Sequence, residues 1–210
     1  MSIAHATTLL VIAKEPRPGR VKTRLTPPFS PEEAAALAGA ALADTLHAVL
    51  AAPARRRVLV LDGAPGPWLP PGFDVVPQCA GGLDARLAAA FARCAGPALL
   101  IGMDTPQVTP GLLTVDWGGR DAWFGPAADG GFWALGLAEP DPDLVRGVPM
   151  STAATGAVQR ERLVAAGLRV ADLPALRDVD TASDAAQVAA EAPDGRFAAE
   201  LARLTAVAGR

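Results

Sequence analysis

Leu9-Leu10-Val11-Ile12-Ala13-Lys14-Glu15-Pro16-Arg17-Pro18-Gly19-Arg20-Val21-Lys22-Thr23-Arg24-Leu25 decides the fold. Its first part, Leu9 to Ala13, is a short apolar run that reads as a buried first strand. The chain then breaks into a loop with five cations (Lys14, Arg17, Arg20, Lys22, Arg24), one Gly and two Pro. In an open α/β sheet, ligands bind in the crevice at the carboxyl ends of the strands. Backbone amides around Gly19, with Lys22 and Arg24, suit an anionic ligand such as a di- or triphosphate. The competing reading is a solvated basic loop. A P-loop does not fit, because Lys22-Thr23 follows a single Gly19 at the wrong spacing, and no G-x-G-x-x-G follows the strand. These absences count against a P-loop kinase and a dinucleotide-dependent dehydrogenase.

Outward from that stretch the pattern alternates. Ser30-Pro31-Glu32-Glu33 is a capping box with Pro at the first helical position. The helix it opens carries Leu42, Leu46, Val49 and Leu50 as an apolar stripe, with His47 beside it as a surface or packing residue, and ends by Pro53. Arg57–Leu61 and Phe73–Val76 read as strands two and three, with the Pro- and Gly-rich loop Asp62–Gly72 between them. Leu83–Arg93 reads as a helix with Leu83, Leu87, Ala90 and Phe91 inward. Pro97–Gly102 is a buried strand, and Thr109-Pro110 would open the next helix. Ala122–Gly125 and Phe132–Leu137 are two further strands. Ala153–Ala166 reads as a helix and Leu168–Ala171 as a strand. Thr181 caps a last helix, with Asp184 at its third position. Strands separated by helices, with no linker or repeat, imply one domain over residues 1–210, a three-layer α/β/α sandwich on a mostly parallel, mixed sheet.

Composition sets the outer bounds. The 210 residues are 50% hydrophobic and 20% charged, with a formal net charge of −3. Such a chain folds into a core and has no global basic field for nucleic acid. Cys79 and Cys94 stand apart, without metal-ligand spacing, so a reducing, cytoplasmic setting is expected. The first apolar run is too short for a signal peptide and lacks a basic lead-in. No segment is read as reaching the ~20 apolar residues of a membrane span.

Two acidic positions point to a cation. Asp104 stands in Ile101-Gly102-Met103-Asp104-Thr105-Pro106, just past the end of a strand, where α/β enzymes place catalytic and metal-binding groups. In Arg177-Asp178-Val179-Asp180-Thr181, residues two apart in an extended segment share a side, so Asp178 and Asp180 face one way and Val179 faces inward. Paired carboxylates repel unless neutralised, and oxygen ligands suit Mg²⁺ or Mn²⁺, which bridge to substrate phosphates. The competing readings are a turn or capping role for Asp104, a capping role for Asp180, and an Asp178–Arg177 pair. In Gly125-Pro126-Ala127-Ala128-Asp129-Gly130-Gly131-Phe132-Trp133, Asp129 and the paired glycines permit close backbone approach to a ligand, with Phe132 and Trp133 as a stacking surface. The alternative is a hairpin turn with core aromatics.

With these motifs the chain resembles the DUF2064 family of glycosyltransferase-like proteins, which have the GT-A (nucleotide-diphospho-sugar transferase) fold. The resemblance runs through A-K-x-P-x-x-G-x-x-K-T-R-L (Ala13 to Leu25), I-G-x-D-[ST]-P (Ile101 to Pro106) and G-P-A-x-D-G-G-[FY] (Gly125 to Phe132). It continues in Ser151-Thr152 and in R-D-V-D-T (Arg177 to Thr181). It implies kinship with phospholactate and phosphoenolpyruvate guanylyltransferases. By that resemblance Asp104, Asp178 and Asp180 hold Mg²⁺ or Mn²⁺, and Ala13, Lys14, Gly19, Arg20, Lys22 and Arg24 face the nucleotide. Asp104 and Lys22 are the candidate catalytic residues, and Asp129, Gly130 and Gly131 the candidate donor or acceptor site. The chain departs from the family's G-D-L-G-x-R-L at Gly81-Gly82-Leu83-Asp84-Ala85-Arg86-Leu87, where Gly82 replaces the acid, and has Met150 where Trp commonly precedes Ser-Thr.

Three functions are weighed. The first is a metal-dependent glycosyltransferase using a nucleoside diphosphate sugar and a small-molecule acceptor. The second is a nucleotidyltransferase that joins a nucleotide to a small acidic acceptor and releases pyrophosphate. The third is a non-catalytic nucleotide-binding module, which leaves three placed carboxylates without a role. The basic loop favours the second and the Asp129 loop the first, which leads. The oligomeric state is not legible in the sequence.

Overall fold

The computed structural model describes residues 7–209. Seven strands form one sheet: β1 (Thr8–Lys14), β2 (Arg56–Asp62), β3 (Asp74–Pro77), β4 (Ala98–Ile101), β5 (Ala122–Pro126), β6 (Phe132–Leu137) and β7 (Val170–Asp172). Their order is β3-β2-β1-β4-β6-β5-β7. β6 runs antiparallel to both β4 and β5, and the other pairings are parallel. Among the described residues the α-helices are α1 (Pro31–Ala51), α2 (Leu83–Phe91), α3 (Thr155–Ala165), α4 (Ala182–Glu191) and α5 (Arg196–Ala208). This is the α/β/α arrangement with a mixed sheet that the sequence led us to expect.

The pleat of β1 shows how the layers form. Alternate side chains of a strand point to opposite faces. Leu9, Val11 and Ala13 pack with Leu42, Leu46 and Val49 of α1. Leu10 points the other way, into a core with Val58, Val60 and Leu100 that Leu87, Ala90 and Phe91 of α2 and Leu163 of α3 complete. The opposite side of α1, through Leu37 and Ala41, packs with Leu25, Phe29, Val188 and Phe197. Burial on two sides explains why α1 is long and apolar enough, by length and composition, to cross a membrane. That corrects the expectation that no segment meets this test, although more than half of the helix is buried inside the protein.

Both capping boxes form. Ser30 accepts from the Glu33 amide and Thr181 from the Asp184 amide, and each acid bonds back to the cap amide. Other expectations need correction. Residues 109–114 make turns, through Leu112 N to Thr109 O and Thr114 N to Gly111 O, and no helix starts there. Pro110, Gly111 and Thr114 are poor helix formers, and the turns close without propagating. Leu83 does not face inward, being 43% exposed at the start of α2. Trp133, expected as part of a stacking surface, is instead a core residue, 2% exposed, whose Nε1 donates to Pro174 O. α5 is an element the sequence reading did not contain.

Candidate active site

The carboxyl ends of β1 and β4 open into a cavity of about 810 Å³. Every charged candidate of the sequence lines it: Lys14, Arg20, Lys22, Arg24, Asp104, Asp129, Asp178 and Asp180. Ala13 and Gly131 line it too, whereas Gly19 and Gly130 do not. Two contacts join the segments carrying the acids. Val179 N donates to Asp104 O at 3.0 Å and Gln107 Nε2 to Arg177 O at 2.7 Å. With Val179 buried, Asp178 and Asp180 both turn to the cavity, as an extended segment requires. Thr181 rather than Asp180 caps α4, and Arg177 pairs with Asp184 rather than Asp178.

Lys22 sits among these acids. Its Nζ lies 2.7 Å from Asp104 Oδ2 and 3.1 Å from Asp180 Oδ1, and its side chain is only 10% exposed. Arg24 adds a contact at 2.9 Å to Asp180 Oδ2. Burial would lower the Lys22 pKa, but Asp104 and Asp180 more than offset it and hold the ammonium above its ordinary value. The Lys22 backbone is left-handed (φ 48°, ψ 39°), unusual for a residue with a side chain. The three aspartates thus share a cavity but do not form a finished metal cage. Among the described residues no three Asp, Glu, His or Cys side chains converge as metal ligands.

The cluster nevertheless leaves its third acid without a partner. Asp178 Oδ1 is buried and has no hydrogen-bond partner. Burial, then the charges of Asp104 and Asp129, push its carboxyl up to about 8, against the opposing pull of Lys22. A buried carboxylate oxygen without a partner is costly, and hard oxygen donors around it suit a divalent cation. The residues present therefore fit Mg²⁺ or Mn²⁺.

The basic loop divides by partner. Arg17 pairs with Glu15 at 2.7 Å, while Lys22 and Arg24 are bound to carboxylates. Lys14 and Arg20 line the cavity with no ion pair among the described residues. Gly19 takes φ +73°, a turn conformation that glycine adopts without strain. Ala13 contributes its carbonyl, which accepts from Gln78 Nε2 at 2.8 Å.

The Asp129 loop joins β5 to β6 as a hairpin. Asp129 Oδ1 accepts from Gly131 N at 2.8 Å, and the exposed carboxylate borders the cavity near Asp178. Gly130 is at φ +90°, and a Cβ there would collide with the Ala153 carbonyl. Gly156 N donates to Gly130 O at 2.8 Å. The glycines are thus required for packing the hairpin on the start of α3.

Some cavity residues escaped the sequence reading as site residues, whereas Phe132, read there as a stacking surface, does line the cavity. Arg86 donates to Gly81 O, Asp62 Oδ2 and Gln78 Oε1, bracing the wall beside β2 and β3. Leu83, Phe132 and Met150 are apolar residues of the cavity lining, which also includes the exposed polar Ser151 and Thr152 that follow Met150. Asp84 fills the space over Gly82, where a Cβ would meet its Oδ1 at 2.6 Å. Its Oδ2 accepts from Gly147 N at 2.9 Å, fixing the segment that leads to Met150. For Leu83, Asp84 and Met150 the only signal was the departure from the family pattern at Gly82 and Met150.

A family profile described as "Uncharacterized protein conserved in bacteria (DUF2064)" matches residues 36–152, more than half of the chain. The chain belongs to the DUF2064 family. No curated protein matches it. Among solved structures, this DUF2064 chain is similar to a protein of Desulfovibrio desulfuricans G20 provisionally named a nucleotide-diphospho-sugar transferase. They share 28% identity over 86% of this chain and 84% of that one, with a TM-score of 0.75. Fold alone is shared with the manganese complex of Rv0371C from Mycobacterium tuberculosis H37Rv, at 23% identity, TM-score 0.53, and 87% and 97% of the two chains. It is likewise shared with 2-C-methyl-D-erythritol 4-phosphate cytidylyltransferase from Thermus thermophilus, at 16% identity, TM-score 0.53, and 88% and 98% coverage.

Proposed function

We propose that this protein is a metal-dependent, nucleotide-using transferase, and that it transfers a glycosyl group from a nucleoside diphosphate sugar to a small-molecule acceptor. The observation that carries the reading is the acidic cluster of Asp104, Asp178 and Asp180 around Lys22, at the carboxyl ends of β1 and β4, with one carboxylate oxygen buried and unpartnered. Asp104, Asp178 and Asp180 would hold Mg²⁺ or Mn²⁺, which when bound offsets negative charge on the leaving phosphate. Lys14 and Arg20, which make no ion pair among the described residues, draw the phosphates to the basic loop. Asp129 has an oxygen left over from its bond to Gly131 and accepts from sugar hydroxyls. Leu83, Phe132 and Met150, apolar residues of the same lining, would limit water around the reacting bond. The name of the Desulfovibrio relative supports the same donor class.

One observation favours the second reading, nucleotidyl transfer with pyrophosphate release. Lys14 and Arg20 make no ion pair among the described residues and could meet a third phosphate as well as the first two. The two readings separate on Asp129→Ala. If Asp129 holds the donor sugar, this variant loses sugar transfer by roughly tenfold to a hundredfold and keeps nucleoside diphosphate binding, because a bond to a charged acceptor is worth about 1.5–3 kcal/mol. The assay follows nucleotide-sugar turnover and pyrophosphate release side by side. Pyrophosphate release from a triphosphate by the wild type, with no nucleotide-sugar turnover, overturns the glycosyl reading.

A further inference from the structure

Lys22 holds two of the acids that the proposed function assigns to a metal ion. Its ammonium hydrogen-bonds Asp104 Oδ2 and Asp180 Oδ1 at once, at 2.7 and 3.1 Å. Those are two of the three carboxylates with which the proposed function binds its cation, and on that reading this inference rests. A carboxylate oxygen shielded by an ammonium at hydrogen-bond distance is not open to a second cation, since the two positive charges repel. The cluster therefore has two mutually exclusive arrangements. Either Lys22 holds Asp104 Oδ2 and Asp180 Oδ1, with Arg24 on the other oxygen of Asp180, or a divalent cation takes the two oxygens that Lys22 holds.

We infer that Lys22 is an exchangeable counter-ion, which neutralises Asp104 and Asp180 in the empty site and is released from them when a divalent cation binds. The surroundings suit an exchange confined to the side chain. On one side Val21 is buried against Ala35 and Ala38 of α1, and on the other Leu25 is fully buried with Phe29 and Leu37. These anchors hold the backbone, including its left-handed turn at Lys22 (φ 48°), in place. The acids face open cavity, with Asp104 32% and Asp180 25% exposed, so an incoming cation reaches them without unfolding the loop. Asp178, whose Oδ1 has no partner in the Lys22-bound arrangement, supplies the ligand that ammonium leaves unused. The device keeps the free site from carrying bare clustered carboxylates. It also couples cation arrival to the release of a positive charge into a cavity that already presents Lys14 and Arg20.

Lys14 and Lys22 are the only lysines in the sequence, which makes the exchange directly readable. The wild-type protein is acylated with an N-hydroxysuccinimide ester, without nucleotide, sugar or acceptor, and both lysines are quantified by mass spectrometry. Exposed Lys14 is the internal reference. In EDTA, Lys22 is protected; with saturating Mn²⁺, its labelling relative to Lys14 rises about tenfold or more, as expected once charged hydrogen bonds are broken. A ratio unchanged by Mn²⁺ overturns the inference. Mn²⁺ affinity, read by electron paramagnetic resonance of the free ion, gives a second measure. Lys22→Met, with its competitor removed, binds Mn²⁺ about tenfold more tightly than wild type, and Lys22→Arg, which keeps a cation, does not. Equal or weaker binding by a folded Lys22→Met also overturns it. Both readings use the metal alone. An enzyme that turns over no nucleotide sugar thus defeats the proposed reaction and leaves this exchange to its own result.

Discussion

At the scale of single residues, the site is a problem of charge. Asp104 and Asp180 are held by Lys22, and Asp178 is left with a buried oxygen unpaired. Asp104→Asn keeps the shape of the side chain and removes the charge. The account predicts a folded protein whose turnover falls by at least about 10² relative to wild type, in line with the loss of a group that organises transition-state charge. The check is turnover beside circular dichroism; wild-type turnover in the variant would remove Asp104 from the site. Much of this constellation was legible in the sequence. The strand before Asp104 and the alternation around Val179 located three acids on one cavity. The pairing of Lys22 with Asp104 and Asp180 was not legible, because it joins positions 82 and 158 residues apart through a single left-handed residue. Local spacing assigned Lys22 to phosphate and carried no sign of its carboxylate partners.

At the scale of elements, the same division holds. α1 and α4 announce themselves through Ser30-Glu33 and Thr181-Asp184, since a capping box is written in adjacent residues. α5 begins at Gly195, which has no side chain to cap it. Its first amides are satisfied from α1: Asp44 Oδ1 accepts from Arg196 N at 3.0 Å and Asp44 Oδ2 from Phe197 N at 2.8 Å. A cap supplied from 152 residues away leaves no local signature, which is why this helix was missed. Asp44→Ala should cost about 1 kcal/mol, the usual worth of a lost N-cap. The readout is faster amide hydrogen exchange at Arg196 and Phe197, with protection in β1 unchanged. Unaltered exchange at the start of α5 would show that the Asp44 cap contributes nothing. The turns at residues 109–114 show the converse case, in which a local start signal led nowhere because Gly111 and Thr114 follow it.

At the scale of the whole molecule, the sheet brings the parts together. β1 and β4 lie side by side and parallel, so the basic loop after β1 and Asp104 after β4 emerge at one edge. β6, the antiparallel strand, starts at the same end and carries the Asp129 hairpin to it. The cavity of about 810 Å³ that results is lined by the charged cluster and by the apolar Leu83, Phe132 and Met150. The central claim is that this cavity binds a nucleotide through a divalent cation held by Asp104, Asp178 and Asp180. Thermal unfolding with a panel of nucleoside diphosphate sugars and triphosphates, in Mn²⁺ or in EDTA, tests it most directly. At 100 times the dissociation constant the bound ligand adds about 2.7 kcal/mol, or roughly 5–11 °C in Tm for a chain of this size. The account predicts that rise with Mn²⁺ and its loss both in EDTA and in Asp180→Asn. Equal stabilisation with and without the metal would contradict it.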